Sequence, residues 1–281
     1  MSDEAVWNGM TQAALDAAYD NMAAVPSSAE RLANWSERSA ALRARQVGEL
    51  ELPYGPKPRN RFDVFRSGRQ AAPLVVFIHG GWWQRNSKEI FSCMALGPME
   101  RGFDVALLGY TLAPEARLSQ IVEEARAGID AIVAHQVRRG TLQRCILSGW
   151  SAGGHLTAAT LDHPAVTAGL SISGVFDLEP IRHSYINNKL GLDPAEVAAF
   201  SPARAKPCGK PLALAFGLAE LPELQRQSAD YGRSCARHGA AALGYPLAGH
   251  DHFSILEELA TPSGVLVDAL STLSSWPMRT S

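Results

Sequence analysis

Short runs of consecutive apolar residues alternate with segments of helical character over most of the chain. The runs occupy residues 74–78, 105–108, 145–147, 169–172 and 212–216, and the helical segments occupy residues 87–101, 118–139, 152–162 and 222–238. A strand that is apolar throughout is typical of a sheet covered on both faces. Strands that alternate with helices are joined by crossovers and therefore run parallel. We predict one α/β domain over residues 1–281, built on a mostly parallel, doubly wound sheet of about eight strands.

Three parts of the chain lie outside this alternation. Residues 7–45 are rich in Ala, Leu, Arg and Glu, and Pro26-Ser27-Ser28 divides them into two predicted helices, the second capped by Ser27 or Ser28. They form an N-terminal arm, assigned to residues 1–46, that covers the main domain or gates its site. Residues 49–54 and 61–66 alternate polar and apolar positions around a Gly-Pro-rich turn, which predicts an antiparallel edge hairpin. Residues 177–210 are interpreted as a cap insertion.

The run at residues 145–147 leads into the sequence S-G-W-S-A-G-G-H at residues 148–155. A G-x-S-x-G pattern between a strand and a helix places its serine on a sharp turn, where Gly149 and Gly153 leave room for the neighbouring backbone. The pattern predicts Ser151 as a nucleophile. Because short patterns also occur by chance, the assignment depends on the residues at the carboxyl ends of the other strands.

The run at residues 74–78 is followed by H-G-G-W-W at residues 79–83. Consecutive glycines let backbone N–H groups approach a ligand, and this turn supplies oxyanion donors in serine hydrolases of this architecture. We predict Gly81, Trp82 and Ala152 as donors. A tight turn without a catalytic role is the alternative for H-G-G taken by itself.

A carboxylate is expected after the strand at residues 212–216, because the chain order Ser, acid, His puts the acid there. Glu220 comes first in that loop, and Glu223 is expected at the start of the next helix, where a carboxylate stabilises the helix N-terminus. Asp177, which comes after a strand expected to end near Val175, is the competing candidate.

Two histidines come after the last predicted strand, near residues 242–246, in the sequence G-H-D-H-F at residues 249–253. A side chain with a pKa near neutrality can accept and return the serine proton. We predict that His252 is this base and that His250 hydrogen-bonds within the loop. His79 and His155 are expected to support the site from behind it.

Composition and charge narrow the function classes. The formal net charge is −2, with 46% hydrophobic residues, which argues against nucleic acid and anionic membranes as partners and favours a small substrate. The acidic N-terminus Met1-Ser2-Asp3-Glu4 does not resemble a secretory signal, so a cytoplasmic protein is expected. The four cysteines have no metal-ligand spacing and are interpreted as free thiols. No metal or other cofactor is expected, and a homodimer is compatible with the sequence.

The motifs H-G-G-W-W, G-W-S-A-G-G-H-L, S-G-V-F-D-L-E-P at residues 173–180 and D-H-F at residues 251–253 resemble the α/β-hydrolase arylformamidases, also called kynurenine formamidases. The first two also resemble the hormone-sensitive-lipase-like esterases. The resemblance implies an α/β-hydrolase fold, with Ser151 as nucleophile, His252 as base and Glu220 as acid. Many family members have Asp where this chain has Glu220. Trp82 replaces the third glycine of the esterase H-G-G-G turn, which narrows the acyl pocket.

The expected reaction is removal of a formyl-like group from an arylamine amide such as N-formylkynurenine, through an acyl-enzyme. Promiscuous cleavage of short-chain esters is the alternative, and a non-catalytic ligand-binding relative is the second. The residues that we predict to contact the substrate are Trp82, Trp83, Trp150, Tyr185 and Phe253.

Overall fold

The computed structural model describes residues 4–45, 48–140 and 142–277. The interpretation that the N-terminus does not resemble a secretory signal rests mainly on Met1-Ser2-Asp3, and these residues lie outside the described ones. Residue 46, the last residue of the predicted arm, also lies outside them. None of the described helices is both long enough and apolar enough to cross a membrane.

Eight strands form one sheet in the order β1-β2-β4-β3-β5-β6-β7-β8. The strands are β1 (Gly48–Pro53), β2 (Arg61–Phe65), β3 (Leu74–Ile78), β4 (Asp104–Leu108), β5 (Cys145–Trp150), β6 (Ala168–Ile172), β7 (Leu212–Gly217) and β8 (Ala242–Leu247). β1 pairs antiparallel with β2, and β2 antiparallel with β4. The other pairs are parallel. The predicted α/β-hydrolase fold, with its edge hairpin, is confirmed.

The helices follow the predicted alternation, with corrected boundaries. They are α1 (Gln12–Ala18), α2 (Asn21–Ala24), α3 (Ser28–Ala44), α4 (Leu96–Glu100), α5 (Leu118–Arg138), α6 (Ala152–Ala159), α7 (Glu179–His183), α8 (Asn187–Leu190), α9 (Pro194–Phe200), α10 (Pro222–Arg237), α11 (Glu257–Ala260) and α12 (Val265–Ser275). Short 3₁₀ helices occupy Lys88–Ala95, Pro202–Arg204 and Ser254–Leu256. The segment predicted as one helix over residues 87–101 is therefore a 3₁₀ helix that continues into α4, and α6 ends three residues early.

The sheet separates two apolar cores because successive side chains of a strand point to opposite faces. In β3, Leu74, Val76 and Ile78 belong to one core, while Val75 and Phe77 belong to the other. Helices α5, α6 and α10 contribute to the first core, and α3 and α12 contribute to the second. This two-sided burial is the reason that the central strands contain almost no polar residues.

The N-terminal arm contains three helices where two were predicted. The first predicted helix is interrupted at Asp20, whose carboxylate accepts a hydrogen bond from Ala23 N at 3.1 Å and thereby caps α2. Ser27 precedes α3 as predicted, but its hydroxyl accepts from Arg31 Nε and makes no cap hydrogen bond.

The arm packs on both faces of the sheet. Leu15 and Tyr19 lie in the first core, and Trp35 and Leu42 lie in the second. The indole N–H of Trp35 donates to Glu257 Oε1 at 2.6 Å, which ties α3 to α11. Because α2 connects α1 to α3, it joins the part of the arm on one face to the part on the other.

We expect Trp35→Ala to lower the free energy of unfolding by about 3–5 kcal/mol, because it removes a fully buried indole from the second core. Urea denaturation measures this change. Val137→Ala, at a position 58% exposed on α5, is the control and is expected to change stability by less than about 0.5 kcal/mol. Equal effects of the two substitutions would contradict the packing described for the arm.

Candidate active site

Ser151 lies alone between the end of β5 and the start of α6. Its backbone has φ 57° and ψ −116°, a conformation that is strained for any residue with a side chain. Its N–H donates to Ile172 O at 2.8 Å, and its carbonyl accepts from His155 N at 3.0 Å. A Cβ at Gly153 would lie 1.9 Å from Ile78 O, so only glycine allows α6 to start this close to β3. The residues around Ser151 therefore form the sharp strand-to-helix turn that G-x-S-x-G predicts.

The glycine turn after β3 lies directly against Ser151. A Cβ at Gly80 would be 3.0 Å from the Ser151 Cβ and 2.6 Å from Trp150 O. Gly81 has φ 120° and Trp82 has φ 52°. Among the hydrogen bonds between described residues, none has the backbone N–H of Gly81, Trp82 or Ala152 as its donor. Three backbone donors are thus unengaged around the turn and the start of α6.

His252 and Glu220 form a buried pair next to this turn. His252 Nδ1 lies 3.2 Å from Glu220 Oε2, and the two residues are 3% and 5% exposed. Glu220 Oε1 accepts from Gly217 N at 2.6 Å and from Ser173 Oγ at 2.7 Å. Both oxygens of the Glu220 carboxylate have hydrogen-bond partners, so the carboxylate is held in place and fixes the orientation of the His252 ring through Nδ1.

Trp150 holds His252 from the other side. The indole N–H of Trp150 donates to His252 O at 2.8 Å, and the two ring centroids are 5.0 Å apart. The side chain that precedes Ser151 therefore positions the loop that carries the histidine.

The competing acid and base candidates have other partners. Asp177 Oδ1 accepts from Glu179 N at 3.1 Å and lies 3.6 Å from Arg204. It comes after a strand that ends at Ile172, earlier than predicted, because Ser173 turns the chain with φ 51°. His250 faces Glu258 at 3.5 Å.

Glu223 lies in the first turn of α10, as expected, and pairs with Arg226 and with the hydroxyl of Tyr19. Of the carboxylates considered from the sequence, Glu220 is the one that the structure pairs with His252.

Ser151 and His252 line one cavity of about 30 Å³. Its other walls are mainly apolar and aromatic: Met22, Leu32, Gly81, Trp82, Trp150 and Phe253, with Asn21, Arg85 and Asn86. A larger cavity of about 310 Å³ lies among α5, α6 and α10 and is lined by residues at the amino ends of β7 and β8. Because ligands in such sheets bind at the carboxyl ends of the strands, the smaller cavity is the candidate site.

The predicted substrate-contact residues divide into two groups. Trp82, Trp150 and Phe253 line the cavity, whereas Trp83 and Tyr185 are not among the described residues of its lining. Trp83 is fully buried, with its ring edge-on to His155 at 5.0 Å. Tyr185 is half-buried, and its N–H donates to Asp16 Oδ1 at 2.7 Å. Trp83 therefore faces the core, and Tyr185 joins α1 to the segment after α7.

Five lining residues were not predicted from the sequence: Asn21, Met22 and Leu32 of the arm, and Arg85 and Asn86 after the tryptophan pair. Asn86 Nδ2 donates to Gly80 O at 3.3 Å and supports the glycine turn. The polar sequence Q-R-N-S directly after Trp83 is a signal that could have indicated Arg85 and Asn86. The arm residues carry no comparable signal, because their place in the cavity depends on how α2 docks.

His79 and His155 are buried behind the site. His79 Nδ1 lies 2.9 Å from Gly80 O, and its ring stacks on Tyr110 at 4.4 Å. His155 Nε2 lies 2.7 Å from Phe200 O, between α6 and the end of α9. Burial lowers the pKa of each imidazole to about 4, so both rings are neutral at neutral pH.

Among the described residues, one group of carboxylates could geometrically hold a metal ion, and it lies outside this cavity. Glu51, Asp63 and Glu89 have ligand atoms within 4.8 Å of one another. Lys88 Nζ lies 2.9 Å from Asp63 Oδ1 and 2.7 Å from Glu89 Oε1, and Arg43 also pairs with Asp63. The positive charges of Lys88 and Arg43 thus offset most of the negative charge of these three carboxylates.

Comparison with known proteins identifies relatives that match most of the chain. The family described as BD-FAE matches residues 63–166. Kynurenine formamidase of Danio rerio is 28% identical over 251 residues, which cover 83% of this chain and 85% of the relative. Kynurenine formamidase of Drosophila melanogaster is 30% identical over 230 residues, which cover 74% and 76% of the two chains. These matches extend well beyond the serine motif.

A solved structure agrees over an even larger share of the chain. A protein from Silicibacter sp. TM1040 whose name assigns it as a thioesterase superimposes with a TM-score of 0.82 and 28% identity. The match covers 92% of this chain and 98% of that one.

Acidification is expected to destabilise the folded protein through the buried imidazoles of His79 and His155. Between about pH 6.5 and pH 4 the unfolded chain binds protons that His79 and His155 do not bind in the folded state. The free energy of unfolding should therefore decrease from pH 7 to pH 5, by about 2 kcal/mol for each ring. His155→Gln should make this decrease smaller in urea denaturation at the two pH values. An undiminished decrease in the variant would contradict the assignment of a neutral, buried ring.

Proposed function

The chain belongs to the kynurenine formamidase family, and from that membership we propose that it is a serine hydrolase that removes a formyl group from an aryl amide, with N-formylkynurenine as the reference substrate. The observation that carries the proposal is the buried pair of His252 and Glu220, whose histidine shares one small cavity with the strained Ser151. A nucleophile, a base and an orienting carboxylate are the three groups that such a hydrolysis needs.

In the first half of the reaction, Ser151 Oγ attacks the formyl carbon while His252 takes the hydroxyl proton. The tetrahedral intermediate collapses as His252 returns this proton to the amide nitrogen. The C–N bond then breaks, and the free arylamine leaves behind a formyl ester on Ser151. Glu220 keeps the imidazole oriented and stabilises its protonated form.

In the second half, water replaces the arylamine. His252 takes a proton from the water, and the resulting hydroxide attacks the formyl ester carbon. The proton then returns to Ser151 Oγ as the ester bond breaks and formate leaves. The same three groups therefore serve both halves.

The unengaged N–H groups of Trp82 and Ala152, with that of Gly81, support a role as oxyanion donors. They flank Ser151, and a negative charge that develops on the carbonyl oxygen is stabilised by fixed dipoles of this kind. A tryptophan at position 82 retains its backbone N–H, while its indole forms a wall of the cavity.

Trp82 supports a small acyl group, because it lines the cavity where the related esterases have a glycine and so narrows the acyl pocket. Three aromatic rings, those of Trp82, Trp150 and Phe253, line the same space and suit an aromatic leaving group.

Hydrolysis of short-chain esters is a second candidate. The observation that favours it is the thioesterase name of the structurally similar Silicibacter protein, since one site of this type can cleave both esters and amides.

Three substitutions test the assigned roles. Ser151→Ala is expected to lower kcat/KM by roughly 10⁴–10⁶-fold, and Glu220→Gln by about 10²–10⁴-fold, because the amide of Gln does not stabilise the imidazolium. Asp177→Asn, the matched control, should stay within about threefold, since the ion pair of Asp177 is partly exposed and the Asn side chain can still accept the hydrogen bond from Glu179 N. Steady-state kinetics with folded variants measure these values. If the loss follows Asp177 instead of Glu220, the assignment of the acid is wrong.

Two substrates test the proposed reaction. Formate release from N-formylkynurenine and hydrolysis of p-nitrophenyl acetate are measured with the same enzyme. We expect kcat/KM to be at least about tenfold higher for the formamide, because Trp82 in the cavity lining narrows the acyl pocket and disfavours the larger acetyl group. A clear preference for the acetate would favour the esterase candidate.

A further inference from the structure

The first residue of α2 carries an amide that no group of the described chain satisfies. Asn21 is 5% exposed, and neither its Oδ1 nor its Nδ2 has a hydrogen-bond partner among the described residues. Its backbone N–H donates to Tyr19 O at 3.1 Å. A buried amide without partners costs about 1–3 kcal/mol, and Asn21 lines the cavity of Ser151 and His252. A molecule bound in this cavity can supply the missing hydrogen bonds.

Arg85 adds a positive charge to the same lining. It comes two residues after the tryptophan pair, is exposed, and forms no ion pair with any acidic side chain of the described residues. Its side chain lies beside the phenol of Tyr185. No Asp or Glu is among the described residues that line the cavity, so the charge of Arg85 is not neutralised there.

The acidic side chains of the nearby arm are engaged elsewhere. Asp16 Oδ1 accepts from Tyr185 N at 2.7 Å, and Asp20 Oδ1 accepts from Ala23 N at 3.1 Å. The unpaired amide of Asn21 and the positive charge of Arg85 therefore remain together in the lining of one cavity.

We propose that Asn21 and Arg85 together bind a carboxylate on the leaving group of the substrate. A carboxylate accepts hydrogen bonds from the Asn21 Nδ2 and from the guanidinium, and its negative charge complements Arg85. Asn21 Oδ1 stays available as an acceptor for an ammonium group. An α-amino acid carries both a carboxylate and an ammonium group, so it can pair with both Nδ2 and Oδ1 of the Asn21 side chain.

This inference rests on the proposed function and deepens it. It names the part of the substrate that the N-terminal arm selects: the charged end of an aryl amide derived from an amino acid. Tyr19, two residues before Asn21, holds the arm in place by contacting Trp82 edge-on at 6.0 Å and by donating to Glu223 Oε2 at 3.2 Å. The arm thus connects substrate selection to the wall of the acyl pocket.

The test compares two substrates with the same reacting bond, one with a zwitterionic amino-acid group and one without it. N-formylkynurenine carries the amino-acid group, and ortho-formamidoacetophenone lacks it. We expect Asn21→Leu and Arg85→Gln each to lower kcat/KM for N-formylkynurenine by about 10–100-fold, mainly through a higher KM, because each removes a hydrogen bond to a charged group. For ortho-formamidoacetophenone, kcat/KM should stay within about twofold.

Matched controls and a stability measurement separate binding from folding. Asn34→Leu changes an exposed Asn of the same arm, and Arg237→Gln changes an exposed Arg at the far end of α10; both should behave as the wild type. Asn21→Leu should leave the melting temperature unchanged or raise it, because an apolar side chain needs no partner. Equal losses on both substrates, or no loss on either, would overturn the inference.

Calorimetric binding of L-kynurenine and ortho-aminoacetophenone does not depend on turnover. The wild-type protein should bind L-kynurenine at least about tenfold more tightly, and either substitution should remove this preference. If the wild type cleaves neither formamide, the proposed function fails, and this binding experiment still decides the role of Asn21 and Arg85. Equal binding of both compounds by the wild type would refute it.

Discussion

The close approach of the start of α6 to the end of β3 is the constraint on which the candidate site depends. The backbone at Gly153 lies so near Ile78 O that a single methyl group would not fit. This contact brings Ser151, on the turn before α6, against Gly80, on the turn after β3. The strained backbone conformation of Ser151 is stabilised by two hydrogen bonds to neighbouring segments, one made by its N–H and one by its carbonyl. The proposed nucleophile and its proposed oxyanion donors thus lie on two turns whose backbones are in direct contact.

A second set of contacts connects the rest of the site to that backbone. Trp150 precedes Ser151, and its indole N–H holds the carbonyl of His252. Glu220 reaches the other side of the same imidazole and is itself held by Ser173 and by the N–H of Gly217. The ends of β5, β6, β7 and β8 all contribute to this arrangement, so the pairing of parallel strands aligns groups that are distant in the chain.

The N-terminal arm gives the site its specificity in our proposals. Its first helix packs on one face of the sheet and its third packs on the other, so the short α2 has to cross between them. There Asn21 and Met22 enter the lining of the cavity. The unpaired amide of Asn21 has an energetic cost in the free protein, and binding of a suitable ligand would recover part of it. A local cost of this kind is common where a fold is adapted to bind rather than to be most stable.

Sequence patterns alone determined the order of strands and helices and the mostly parallel arrangement of the strands. Those predictions succeeded because continuously apolar runs and glycine-bearing turns are local signals with a local physical cause. Ser151, Glu220 and His252 could be named for the same reason. The tertiary structure decided which carboxylate meets His252, since Glu220 and Asp177 both come after strands and only docking separates them. It also placed Trp83 in the core and Asn21 and Arg85 in the cavity, because the direction of a side chain and the docking of an arm depend on contacts between distant segments that no local pattern records.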